Sequence, residues 1–487
     1  MKKKRIWAGL LLLVAVFLTA CSAGDEKPEP ELPPEPEEGV LIYAALNPVT
    51  TYLKTSIKTY NKTHPEMQIE IRDYSDDAGP ERLMTELMLG EVPDIMEMQR
   101  LGYHQGDISN PSISSSFEAK NTEALWRDTP FDADTSDLFW MPYRSLVQRG
   151  YLEDLWPYIE KDPRYGRERI IEGPLKAAEI NGGLYILPKS VSISTLAGPK
   201  SVVGDRCGWT LEELIEAFDA MPESSTVLRY NTTRQEVFFN VLAPLLDQFI
   251  DWETGECAFD SQSFREMLNF LSLFPDEFAT WLSANQLERE LAWQRLDGLQ
   301  MLEPVLVNAV HDKNNLDAVF GQEIAYVGYP TVDGSSGSSF IFHGPILAMS
   351  SVCRDKEAAW NFMSRQLRAE SKSISWMLES IIHSWISIPL NRIGYNTYLR
   401  AGTNLSVTYF SELYSGGPLV PSRKPTEEDR QQFEELFNST TQLYWPDEKL
   451  SATVWDAIGP YFTGDKTLDE TVELVQRRAI LYVNENR

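Results

Sequence analysis

From Val40 to Leu46 the chain reads VLIYAAL, an unbroken apolar run of the kind expected for a strand buried on both faces. Tyr52, Leu53, Ile57 and Tyr60 then recur at helical spacing, and Met67, Ile69 and Ile71 alternate as strand residues do. Leu83, Leu87 and Met88 predict a second helix ending near Gly90, and Pro93-Asp94-Ile95-Met96 opens a third strand. This β-α-β-α-β order predicts a parallel sheet with right-handed crossovers, whose ligands lie beyond the carboxyl ends of the strands.

The periodicity lapses between Gln99 and Tyr143, a stretch rich in Ser, Asn, Asp and aromatics that reads as an irregular insertion after the third strand. It recovers at Leu152–Leu155, and Asn181-Gly182-Gly183 predicts a turn into a short strand, Leu184–Pro188. Thr210 and Glu213 stand at capping-box spacing before a helix, as do Thr467 and Glu470 before the last one. That last helix carries Leu468, Val472, Val475, Ala479 and Tyr482 as one apolar stripe. Phe259–Phe274 reads as helical, and Ile324–Pro330 as a strand followed by a loose loop, Asp333–Ser339.

The first 39 residues follow a different grammar. Met1–Arg5 is basic, Ile6–Leu18 is apolar and uncharged, and Leu18-Thr19-Ala20-Cys21 ends in small residues before a cysteine. A helix over Ile6–Leu18 would rise only about 20 Å, short of the roughly 30 Å hydrocarbon core, so the reading is a signal peptide, residues 1–20, and not a span. The ending resembles a bacterial lipobox, which implies lipidation of Cys21. Residues 21–39, dense in Pro and Glu, read as an extended acidic tether.

Removing residues 1–20 takes away four of 44 basic residues and none of 72 acidic ones, leaving a net charge of −32. Nucleic acid is excluded as a partner, because phosphate binding needs clustered Lys and Arg. Cys207, Cys257 and Cys353 leave open both a Cys207–Cys257 bridge and free buried thiols. The five histidines are scattered, none followed by Glu, so neither a metal site nor a cofactor is expected. There is no P-loop and no Gly-x-Ser-x-Gly, so no catalytic residues are assigned.

Several segments, in this order, resemble the extracellular solute-binding proteins of family 1, the sugar-binding lipoproteins of bacterial ABC importers. They are YNKTHP at 60–65, LMLGEVPDI at 87–95, LEDL at 152–155, NGGLYILP at 181–188, GWTLEEL at 208–214, VGYP at 327–330, AAWNF at 358–362 and YFTGDKT at 461–467. An acidic residue frequent in that family before the last motif is absent here, where Ala457-Ile458-Gly459-Pro460 stands. The resemblance implies a two-lobe α/β fold of the periplasmic-binding-protein type (type II). Each lobe would be a mostly parallel sheet flanked by helices, joined by a hinge of several strands. It divides the body into lobe I, 40–190 and 328–366, and lobe II, 191–327 and 367–487.

The same resemblance implies a monomeric receptor, lipid-anchored on the outer face of the cytoplasmic membrane, that captures a saccharide and passes it to ABC permease subunits. A lipid-anchored glycosidase and a sensing lipoprotein coupled to a membrane kinase are the alternatives. Sugar binding needs flat apolar surfaces for pyranose faces and polar groups for hydroxyls. Among 13 tryptophans, Trp126, Trp140, Trp293 and Trp385 have loop-like or polar surroundings, and Trp293 and Trp385 are taken as candidate platforms. Tyr103 follows the third strand and Tyr329 lies at an expected hinge crossing. Asn47 just past the first strand, Gln99 just past the third and Ser192 on the first crossing are the candidates for hydroxyl recognition. Asp94 is expected to hold a turn.

Overall fold

The computed structural model describes residues 39–100, 139–228, 232–277, 294–367, 387–403 and 423–486. Its first sheet is built on β1 (Val40–Ala45), buried from Leu41 onward on both faces. β2 (Gln68–Asp73) and β3 (Ile95–Glu97) flank β1 in parallel, with Tyr43 opposite Ile71 on one side and Ile95 on the other. β10 (Leu347–Met349) closes the sheet antiparallel to β3. The helix Thr51–Thr63 starts where the Thr50 hydroxyl accepts from Leu53 N, and it buries Ile57 and Tyr60. The helix Gly79–Met88 buries Leu83 and Leu87. The β-α-β-α-β reading therefore holds, and its third strand is pinned by Asp94. That carboxylate accepts from Ile42 N at 2.7 Å and from Arg354 N at 2.9 Å, tying β1 to the loop before the helix Lys356–Met363.

The second sheet centres on β6 (Ser190–Pro199), which pairs antiparallel with β7 (Glu303–Val307), β8 (Ile324–Tyr326), β9 (Ser339–His343) and β11 (Ile388–Pro389). Among the described strands of this sheet only β12 (Gln442–Leu443) runs parallel, to β9. The mixed α/β class stands, but this sheet is mainly antiparallel where a mostly parallel one was expected. A strand buried on both faces shows the same apolar run whichever way its neighbours point, so periodicity carries no direction. β9 belongs to the second sheet and β10 to the first, so segment 328–366 contributes to both, with residues 344–346 joining them. The expected short strand Leu184–Pro188 is reduced to one bridge, Leu187 to Leu347. β4 (Gln99–Arg100) pairs with β5 (Phe139–Trp140), so the two ends of the 99–143 insertion meet.

One core runs from β1 and β3 to one face of β6, where Val191, Ile193 and Ala197 pack with Phe340, Phe342 and Phe437. A second core covers the other face, around Leu196, Trp209, Phe264, Val454 and Val475. Helix ends that frame it are capped as anticipated. Thr210 and Glu213 form a reciprocal capping box, and Glu470 accepts from Thr467 N at 2.8 Å while donating its own N–H to the Thr467 hydroxyl. Cys207, Cys257 and Cys353 are unpaired thiols.

Candidate functional site

The end of β1 is organised by a buried carboxylate. Glu97, 3% exposed, accepts from Tyr43 Oη at 2.7 Å, from Leu46 N at 2.9 Å and from Asn47 N and Nδ2, both at 2.8 Å. Burial raises its pKa and the four donors oppose that rise. Asn47 Nδ2 also donates to Gln99 O at 2.8 Å. Two residues singled out in the sequence are thus brought together at the carboxyl ends of adjacent parallel strands, where such sheets receive ligands. The Gln99 side chain is buried, and its Oε1 has no hydrogen-bond partner among the described residues.

Gln99 pairs with Trp140 in the β4–β5 ladder. The Trp140 ring meets Trp445 edge-on, centroids 4.8 Å apart at 73°, and Tyr143 approaches the same indole at 5.3 Å. Trp445 Nε1 donates to Met141 O at 3.1 Å. Trp445 follows β12, and Tyr444 N donates to Phe340 O at 2.8 Å, so this aromatic wall joins the β4–β5 ladder to the second sheet. Both tryptophans are partly exposed. Trp445 was not among the candidates, although its setting, Tyr444-Trp445-Pro446-Asp447, has the loop-like and polar neighbours that singled out Trp140.

A second polar cluster lines one face of β6. The Ser192 hydroxyl donates to Asn308 Oδ1 and lies 2.7 Å from His343 Nε2. Two residues on, Ser194 Oγ lies 2.8 Å from Tyr329 Oη. Ser192 and Tyr329, both selected from the sequence, therefore serve one strand face, in hydrogen bonds that fix their positions. Burial lowers the His343 pKa to about 4 and pushes the Tyr329 phenol up to about 12, so both are neutral at pH 7. The Ser192 hydroxyl thus lies between the Asn308 amide oxygen and the neutral His343 ring. Asn308 and His343 were not expected; each becomes a partner only through the long-range pairing of β6 with β7 and β9.

Cys21, Tyr103, Trp126, Trp293 and Trp385 lie outside the described residues. Among the described residues no group of three or more His, Cys, Asp or Glu is placed to hold a metal ion. No helix among them is long and apolar enough to cross a membrane. The site offers flat rings, amides, hydroxyls and a buried carboxylate, which is equipment for holding a polar, ring-shaped solute.

No family model matches the sequence, and no curated protein matches it. Solved structures do match. A periplasmic oligogalacturonide binding protein from Yersinia enterocolitica is 14% identical over 92% of this chain and 99% of its own, with a TM-score of 0.50. The fold is that of the two-lobe periplasmic binding proteins. The sugar-binding protein MalE from Xanthomonas citri aligns at 12% identity over 92% of this chain and 98% of its own, TM-score 0.49. A de novo designed esterase aligns at 14% identity over 92% and 100%, TM-score 0.50. At these identities the likeness is one of architecture, and the chemistry of this binding-protein fold has to be argued from its own residues.

Proposed function

We propose that this chain is an extracytoplasmic solute receptor that captures a sugar or oligosaccharide between its two lobes and delivers it to an ABC permease. A lipid on Cys21 holds it at the outer face of the cytoplasmic membrane, and the acidic segment 21–39 acts as its tether. The observation that carries the reading is the meeting of Trp140, in the β4–β5 ladder, with Trp445, just past β12 of the second sheet, beside the Asn47–Glu97–Gln99 cluster. Rings of this kind match the C–H faces of pyranoses, and fixed amides match their hydroxyls. The shared fold with an oligogalacturonide binding protein supports a saccharide ligand. A solute touching both lobes favours the closed form in proportion to its differential affinity.

The test is thermal denaturation of the purified protein, lacking residues 1–20, across a panel of neutral and acidic mono- to hexasaccharides. A saturable rise in melting temperature is expected for at least one sugar; by mass action a ligand at 100 times its Kd stabilises by about 2.7 kcal/mol. The sugar should be recovered unchanged. Failure of every saccharide to stabilise the protein, or release of new reducing ends, would overturn the receptor reading. Separately, Cys21→Ala should leave the protein out of the lipid-labelled membrane fraction.

A further inference from the structure

One residue along the chain from Tyr143, which packs on Trp445, begins a concavity that the site above does not use. It encloses about 660 Å³, inside the roughly 300–1,000 Å³ range of small-molecule sites, and is lined by Arg144, Gln148, Ile180, Asn181, Trp252 and Glu253. The first four precede β6 in the chain and the last two follow it, so the walls come from the same two halves that supply Trp140 and Trp445. The wall and this concavity are linked by one short helix, Tyr143–Gln148: Tyr143 packs on Trp445, and Arg144 is the next residue.

The polar groups here are held in place before any ligand arrives. The Arg144 guanidinium lies 4.8 Å over the ring of Trp252 and 3.9 Å from Asp247 Oδ2. Trp252 Nε1 donates to the same carboxylate at 2.6 Å. Asn181 sits at φ 52°, the one non-glycine residue with positive φ among those described, in a turn closed by the Ile180–Gly183 bridge. Asparagine is among the residues that tolerate that region best. An indole, a guanidinium, two carboxamides and a carboxylate make a set of planar groups. The guanidinium, the carboxamides and the carboxylate can each take two adjacent hydroxyls, and the indole supplies an apolar face. With Asp247 and Glu253 beside a single arginine, the charge disfavours an acidic sugar.

We propose that this concavity is a distal subsite for a neutral oligosaccharide, which would run from the Trp140–Trp445 wall past Arg144 to Trp252. The assignment rests on the receptor reading and adds to it a ligand length and a charge class. Arg144 and Trp252 also touch across the lobes, so a pure closure contact is the competing explanation, and chain length separates the two. Titration calorimetry would use the wild type, Trp252→Ala and Trp252→Phe, with maltose through maltohexaose and cellobiose through cellohexaose. Trp252→Ala is expected to weaken tetra- to hexasaccharides about tenfold while changing the disaccharide less than about twofold, and Trp252→Phe to recover most of the loss. Equal weakening at every length would show a closure contact and overturn the subsite. So would wild-type affinity that does not depend on length and does not respond to Trp252→Ala, and in that case the receptor reading would stand. If no length binds the wild type at all, the receptor reading falls and takes the subsite with it.

Discussion

Trp445 donates its indole N–H to the main-chain oxygen of Met141 at 3.1 Å, and so joins the segment just past β12 to the residue after β5. More than 300 residues of chain separate the two, and no repeating pattern connects them. With Trp140 edge-on to the same ring, the contact links the β4–β5 ladder to the second sheet at the place where the candidate ligand site lies. Trp445→Ala removes ring and donor together and should weaken saccharide binding at every length by about tenfold or more, whereas Trp445→Phe keeps a ring and should lose less. Titration of both variants with the best sugar of the thermal panel checks this. Equal affinity for Trp445→Ala and the wild type would remove the aromatic wall from the site.

Glu97 predicts a different kind of loss. Four donors converge on it, and Glu97→Gln turns one acceptor oxygen into an NH₂ group facing donors. A buried hydrogen-bonding group left unmatched costs about 1–3 kcal/mol, so the variant should show that loss in urea denaturation. Asn47 is fixed through Glu97, and ligand affinity should fall with it. Asn47→Ala should lose affinity with a smaller loss of stability, because the carboxylate keeps its other donors.

His343 gives a pH dependence whose sign follows from its burial. The unfolded histidine takes up a proton near pH 6.5 and the native one only near 4, so between these values the unfolded chain binds more protons. Stability should therefore fall as pH drops from about 6.5 to about 4, by up to about 3 kcal/mol from this residue. His343→Gln removes the titration and should flatten that part of the stability–pH curve. A residual slope of the same sign is expected from His311, also buried and also lowered. Urea midpoints measured at half-unit steps for the wild type and His343→Gln decide the matter; coincident slopes would mean that His343 is not held neutral.

How far the sequence discloses this arrangement depends on the range of the interactions. The β1–β3 unit is legible because double-sided burial writes continuous apolar runs, and Asn47 and Gln99 follow from it, lying just past the ends of adjacent parallel strands. Ser192 and Tyr329 were legible as residues but not as a cluster, since Ser194, the link between them, gains its partner only when β6 forms. Trp445 was not legible, because β12 is two residues long and leaves no periodicity to mark its end. The direction of the strands around β6 is likewise absent from the apolar pattern. It is set by which connections return on which edge.

The last prediction concerns the loop that holds Tyr329. An ideal Cβ on Gly337 would fall 1.9 Å from Tyr329 O and 2.7 Å from its carbonyl carbon, both backbone atoms that no side-chain rotation can clear. Gly337→Ala must therefore push the 328–338 loop away from Tyr329, whose phenol is bonded to Ser194, and so disturb the polar face of β6. A destabilisation of about 1–3 kcal/mol is expected from such overpacking, with weakened saccharide binding alongside it. Urea midpoints of the wild type and Gly337→Ala check this. An unchanged midpoint together with unchanged saccharide affinity would mean that residue 337 does not approach Tyr329 so closely, and the rigid placement of Tyr329 beside Ser194 would lose its support.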